Sequence, residues 1–168
     1  MKITFVKQLN NQQGFKFKIH DQNIQRLCDV LCDTLETRKV RQKKLLQLSD
    51  LTCVFLSAKE MKILNNSFRK KNKPTDVLSF QPMDSNSIGE LVFCPEVLVR
   101  QAQKQKHTLS YEFAYMFIHG LLHLLGYDHE ISEKEERIMF ALQDLIFSQL
   151  TENKLALKSD LKYLSLKN

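Results

Sequence analysis

At 168 residues with 43% hydrophobic content, the chain is long enough to bury a substantial core as one domain, residues 1–168, without staples. Four scattered cysteines with no CxxC pair argue against a disulfide scaffold. The opening Met-Lys-Ile-Thr-Phe-Val-Lys has no apolar signal segment, and the longest apolar stretch, Phe113 to Leu125, is too short to span a bilayer. These features predict a cytoplasmic protein.

In chain order, Ile3 to Val6 reads as a first strand. From about Asn23 to Thr37, residues Ile24, Leu27, Leu31 and Leu35 fall on one helical stripe, with Cys28 and Cys32 packed beside it. The basic run from Arg38 to Lys44 is a loop or a helix end. Leu48 to Leu56 is apolar and β-branched enough for a buried strand holding Cys53. Ser57-Ala-Lys-Glu60 is a capping box, opening a helix that buries Met61, Leu64 and Phe68. Lys73-Pro74 breaks that pattern. Thr75 to Phe80 and Ile88 to Cys94 then read as an antiparallel hairpin joined by a polar turn. Pro95 suits the first turn of a helix reaching about Lys106. Tyr111 to Leu125 is apolar nearly all round, as a central buried helix is. Ser132-Glu-Lys-Glu135 is a second capping box, whose helix buries Ile138, Leu142, Leu145 and Ile146 to about Leu150. Strands and unevenly placed helices predict an α+β fold. Its plan is a small mixed sheet of about four strands with a central buried helix, zincin-like, and 151–168 forms a basic C-terminal tail.

The central helix carries the most informative string, His119-Gly-Leu-Leu-His123-Leu-Leu-Gly-Tyr-Asp-His129. His119 and His123 are four apart, so they share a helical face. Gly126 can adopt the left-handed conformation that ends a helix, turning the chain back to bring His129 to the same point. A lone histidine on an apolar helix is usually a packed core residue, but three at this spacing predict one metal ion per chain. Three neutral imidazoles leave a fourth tetrahedral position open, as catalytic zinc sites do. Imidazole also suits iron, nickel and copper, so zinc leads without standing alone. The spacing matches zinc proteases reading H-E-x-x-H-x-x-G-x-x-H, except that their general-base glutamate is replaced by Gly120. An ion held this way brings bound water within reach of ionisation near neutral pH, so the site suits hydrolysis.

The net charge of +6 is uneven. Residues 111–150 hold two basic against seven acidic side chains, a net of −5, leaving +11 for the rest of the chain. Basic runs at Arg38 to Lys44, Arg69 to Lys73 and Arg100 to Lys106 favour a polyanionic partner, nucleic acid first.

Three strings together carry a specific resemblance: Leu64-Asn65-Asn-Ser-Phe68-Arg69, Pro74-Thr75-Asp76-Val77-Leu78-Ser79-Phe80, and His119 to His129. In this order over residues 45 to 150, the chain resembles the YbeY family, bacterial metal-dependent endoribonucleases linked to ribosomal RNA maturation. The resemblance implies zinc on His119, His123 and His129, an activity-bearing arginine at Arg69, and single-stranded RNA of the ribosome as substrate. It also implies a ribosome-associated protein partner and no membrane partner. The family's Gly-Asp at the second hairpin strand is Gly89-Glu90 here.

The residues themselves support part of this. Arg69 offers a planar, permanently charged fork suited to phosphate oxygens, and Lys70, Lys71 and Lys73 beside it can hold flanking phosphates. Asp128 fits a turn residue or one that orients an imidazole from behind. Asp128, Glu130 and Glu112 are the acids in reach of a general-base role. Met139 reads as core. Phe68, Phe80 and Tyr127 can stack on unpaired bases, although core packing is the simpler expectation for Phe68 and Phe80. Two other classes stay open: a metallopeptidase-like hydrolase, and a non-enzymatic ribosome assembly factor with a structural zinc.

Overall fold

In the computed structural model, which describes residues 2–7, 29–30, 33–34, 50–83 and 86–152, four strands form one mixed sheet in the order β1-β2-β4-β3. They are β1 (Lys2–Lys7), β2 (Asp50–Phe55), β3 (Val77–Phe80) and β4 (Ser87–Phe93). β2 pairs in parallel with both β1 and β4, whereas β3 and β4 form the expected antiparallel pair, Val77 opposite Phe93 and Phe80 opposite Glu90. The helices of the described residues 50–152 are α1 (Ala58–Arg69), α2 (Pro95–Gln105), α3 (Leu109–Leu124) and α4 (Glu133–Glu152). The α+β class and the central histidine helix are as predicted. Residues 29–30 and 33–34 are helical, within the predicted 23–37 helix. Cys28, Cys32, the Arg38 to Lys44 run and residues 153–168 lie outside the described residues.

Strand alternation gives the sheet two different faces. Leu51, Cys53, Phe55, Leu91 and Phe93 point to one side and pack with Phe113, Phe117, Ile118 and Leu121 of α3 and Met139 and Ile146 of α4. Val54, Leu78 and Val92 point to the other and pack with Met61 and Leu64 of α1. Cys53 and Cys94 are buried in the core, as expected. The Ser57 capping box is complete, its side chain accepting from the Glu60 amide while the Glu60 carboxylate accepts from the Ser57 amide at 2.9 Å. At α4, Ser132 Oγ accepts from the Glu135 amide at 3.2 Å.

Two packing expectations need correction. Phe68 is 64% exposed rather than core, standing in the last turn of α1 before the Lys70 cap with its ring edge-on to that of Phe80. Ile138 is 40% exposed. The face of α4 turned inward is Met139, Gln143, Ile146 and Leu150, rotated by one residue from the apolar stripe. Gln143, on this inward face, meets His119 and the Tyr115 carbonyl of α3.

The sheet positions α3 through a very close approach. A Cβ on Gly120 would lie 2.8 Å from Leu91 Cδ2 and 3.3 Å from Ser79 Oγ. A larger residue there would force Leu91 to shift for the helix to sit this near β3 and β4. Ser79 Oγ donates to the Gly120 carbonyl at 3.1 Å, and Gln81 Nε2 donates to the His123 carbonyl at 3.3 Å, tying the sheet edge to the helix.

Candidate metal centre

With Gly120 against the sheet, His119 and His123 sit roughly a quarter turn around α3 from it, one turn apart, beside the edge of the sheet. Thr108 caps the start of the helix. Its end follows the sequence reading: Gly126 takes φ +84, its amide bonds to the His123 carbonyl and that of Tyr127 to the Leu122 carbonyl, both at 3.0 Å. The reversed chain then closes a turn in which Asp128 Oδ1 accepts the Glu130 amide at 2.9 Å. His129 thereby reaches the helical pair. Ring centroids are 4.8 Å apart for His119–His123, 5.2 Å for His119–His129 and 5.1 Å for His123–His129. One nitrogen from each ring lies within 4.8 Å of the others, so the three can hold a metal ion. Among the described residues no other group of histidines, cysteines or acids does so.

The donor set suits such an ion in its protonation as well as its placement. Burial pushes His119 below its ordinary value, partly opposed by its hydrogen bond to Gln143. Burial, then repulsion from His119 and His129, pushes His123 down to about 4. Neutral imidazole is the form that binds metal.

Two residues that the sequence reading passed over complete the centre. Gln143 on α4 is fully buried, and its Oε1 lies 3.0 Å from His119 Nδ1 while its Nε2 donates to the Tyr115 carbonyl at 3.3 Å. The second bond fixes which end of the amide faces the imidazole. His119 must then carry its proton on Nδ1, leaving Nε2 free for a metal. Phe140, one turn earlier, stacks against His119 and His129 at 6.2 and 5.5 Å between centroids, forming an apolar wall. A glutamine amid an apolar helix stripe was the one signal available for Gln143, and Phe140 gave none.

The centre lies in a hollow of about 850 Å³ on whose lining all three sequence strings converge, with Phe68, Arg69, Asp76, Ser79, Phe80, Tyr127, Asp128 and Glu130 among its residues. Each string has a structural reason. Asn65 is buried and its Nδ2 donates to the Lys73 carbonyl at 2.7 Å, pinning the loop that follows Arg69. Asp76 starts β3, accepting from the Val77 amide and from Gln101 Nε2, both at 2.8 Å. The Arg69 guanidinium bonds to the Glu130 carboxylate, which holds Glu130 below the usual carboxylate range.

Lys71 Nζ approaches the same carboxylate at 3.8 Å, Lys70 Nζ turns back to the Ser67 carbonyl at 3.0 Å, and Lys73 is exposed. These three border the hollow without lining it. Glu112 is buried against His107 Nε2 at 3.1 Å and lines a different depression, so it does not share the hollow with the histidines. Glu90 also stays outside, opposite Phe80 in the sheet. Met139 is fully buried in the core, as expected.

Comparison with known proteins agrees with this geometry. The family model described as endoribonuclease YbeY matches residues 8–151. A protein of Bdellovibrio bacteriovorus named endoribonuclease YbeY is 49% identical over 120 residues, covering 69% of this chain and 80% of that protein. One from Ureaplasma parvum serovar 3, of the same name, is 36% identical over 140 residues, covering 81% of this chain and 84% of its own length. The solution structure of TM1509 from Thermotoga maritima superposes with a TM-score of 0.58 at 25% identity, covering 95% of this chain and 97% of that one. With the fold, the three strings and the histidine cluster all in agreement, the chain belongs to the YbeY endoribonuclease family.

Proposed function

We propose that this chain is a single-strand-specific, zinc-dependent endoribonuclease of the cytoplasm that acts in ribosomal RNA processing and ribosome maturation. The observation that supports this most is the convergence of three imidazoles in a hollow that Arg69 also lines. One zinc per chain on His119, His123 and His129 supplies Lewis-acid and water-activating chemistry. Gln143 holds His119 in the required tautomer. Asp128 serves by closing the turn that carries His129. Arg69 releases Glu130 when a phosphodiester enters and turns its fork on the phosphate oxygens, where charge grows in the transition state. Lys70, Lys71 and Lys73, exposed on the pinned loop, hold neighbouring phosphates and set position rather than sequence. Ribosomal RNA and a ribosome-associated protein are the partners in this reading.

The same three histidines would serve a peptidase, but position 120, where its glutamate would stand, is wedged against Leu91. The test is metal content per chain together with cleavage of single-stranded and duplex RNA, with and without chelator. Chelator-sensitive cutting of the single strand is the expected result. Cutting that survives removal of the metal, or cutting of peptides instead, would refute the proposal.

A further inference from the structure

Phe68 is 64% exposed, and its ring meets that of Phe80 edge-on at 4.9 Å between centroids and an interplanar angle of 75°. A single exposed aromatic is ordinary on a protein surface. This one lines the same hollow as the three histidines, precedes Arg69 directly, and stands beside the loop carrying Lys70 and Lys71. A fixed aromatic ring next to cations is the combination that holds an unpaired base on its π-face and the adjoining phosphate on charge. We infer that Phe68 is a stacking platform for an unpaired nucleobase flanking the phosphodiester at the metal centre.

This rests on the RNA reading above and adds a physical origin for single-strand selectivity. Bases inside a duplex are already stacked and cannot present a face to Phe68. Because every base has a π-face, the platform reads strandedness and leaves base identity unread.

The chain contains no tryptophan, so Phe68→Trp introduces its sole indole. Metal-loaded Phe68→Trp protein is mixed rapidly with oligouridylate or with inorganic polyphosphate. Stacking predicts quenching of the indole by oligouridylate and little change with polyphosphate, which has charge but no bases. In parallel, Phe68→Ala should raise the oligouridylate concentration that half-saturates single-turnover cleavage by about 5- to 100-fold. The maximal rate should change little, and Phe68→Trp should cleave like the wild type. Equal responses to the two polyanions, or unchanged half-saturation in Phe68→Ala beside normal wild-type cleavage, overturns the platform alone. A wild-type protein that neither binds nor cleaves RNA removes the underlying reading, and the platform with it.

Discussion

Replacing Gln143 with leucine tests how the metal centre is built. Leucine has similar bulk but removes the oxygen 3.0 Å from His119 Nδ1. With metal bound through Nε2, the His119 proton must sit on Nδ1, where it would face an apolar side chain in a buried site. Without metal, the proton can move to Nε2 and point into the hollow, so the penalty falls on the loaded state. An unpaired buried donor costs about 1–3 kcal/mol, which corresponds to roughly 5- to 150-fold in affinity. Loss of such supporting partners at metal sites commonly costs about 10- to 100-fold. The assay is competition for zinc against a chromogenic chelator, with thermal denaturation of the metal-free protein alongside. The expected outcome is a Kd raised about tenfold or more with little change in metal-free Tm. Gln143→Glu, which keeps an acceptor oxygen, should retain tight binding. Wild-type affinity in Gln143→Leu, or equal weakening by Leu and Glu, would refute the reasoning.

Arg69→Ala should keep full metal content and fold while cleavage falls by about 100-fold, measured as single-turnover rate; unchanged turnover would assign Arg69 to its ion pair with Glu130 alone. Gly120→Glu should lose several kcal/mol of stability, since it overpacks the Leu91 contact and buries a charge; denaturation would show it, and a stable variant would contradict the close approach. The folded state holds His119 and His123 below their ordinary 6.5, His123 near 4, so the unfolded chain binds more protons between those values. Metal-free stability should therefore be fully present above pH 6.5 and fall as pH drops toward 4, read as Tm against pH. Substituting Lys70, Lys71 and Lys73 together should flatten the salt dependence of RNA binding, each lost phosphate contact changing the log–log slope by about 0.7; an unchanged slope would return them to the solvated surface.

The histidine cluster could be read from the sequence because its geometry is local. A helix places positions four apart together, and a glycine at its end turns the chain back. The hairpin and the capping box at Ser57 were visible for the same reason. The support of the centre was not, because it comes from another helix. The α4 sequence offers Ile138, Leu142, Leu145 and Ile146 as an apolar stripe, and a polarity pattern assigns that stripe to the core. The helix instead turns Gln143 inward, where it pairs with His119, and leaves Ile138 40% exposed. Phe68 failed in the opposite direction. It continues the Met61 and Leu64 periodicity, but stands in the last turn of α1 and is 64% exposed. A periodic pattern records which residues share a face and leaves open where along that face burial stops.

The same histidine spacing serves two chemistries, and the direction of position 120 separates them. One residue past His119, roughly 100° around the helix, that position faces the sheet, and even a methyl group there meets Leu91 at 2.8 Å. A glutamate one residue after His119 would therefore have to displace Leu91 to fit. The acids that do line the hollow are already engaged: Asp76 with the Val77 amide and Gln101, Asp128 with the Glu130 amide, and Glu130 with Arg69. Only the last of these bonds reaches across the mouth of the hollow, and it occupies a guanidinium that a phosphate can claim in place of a carboxylate. A neutral peptide has no group to displace Glu130, whereas a phosphodiester carries the charge that does. In the proposed reading, the hollow therefore meets an anion through Arg69 before any of its acids is free to abstract a proton.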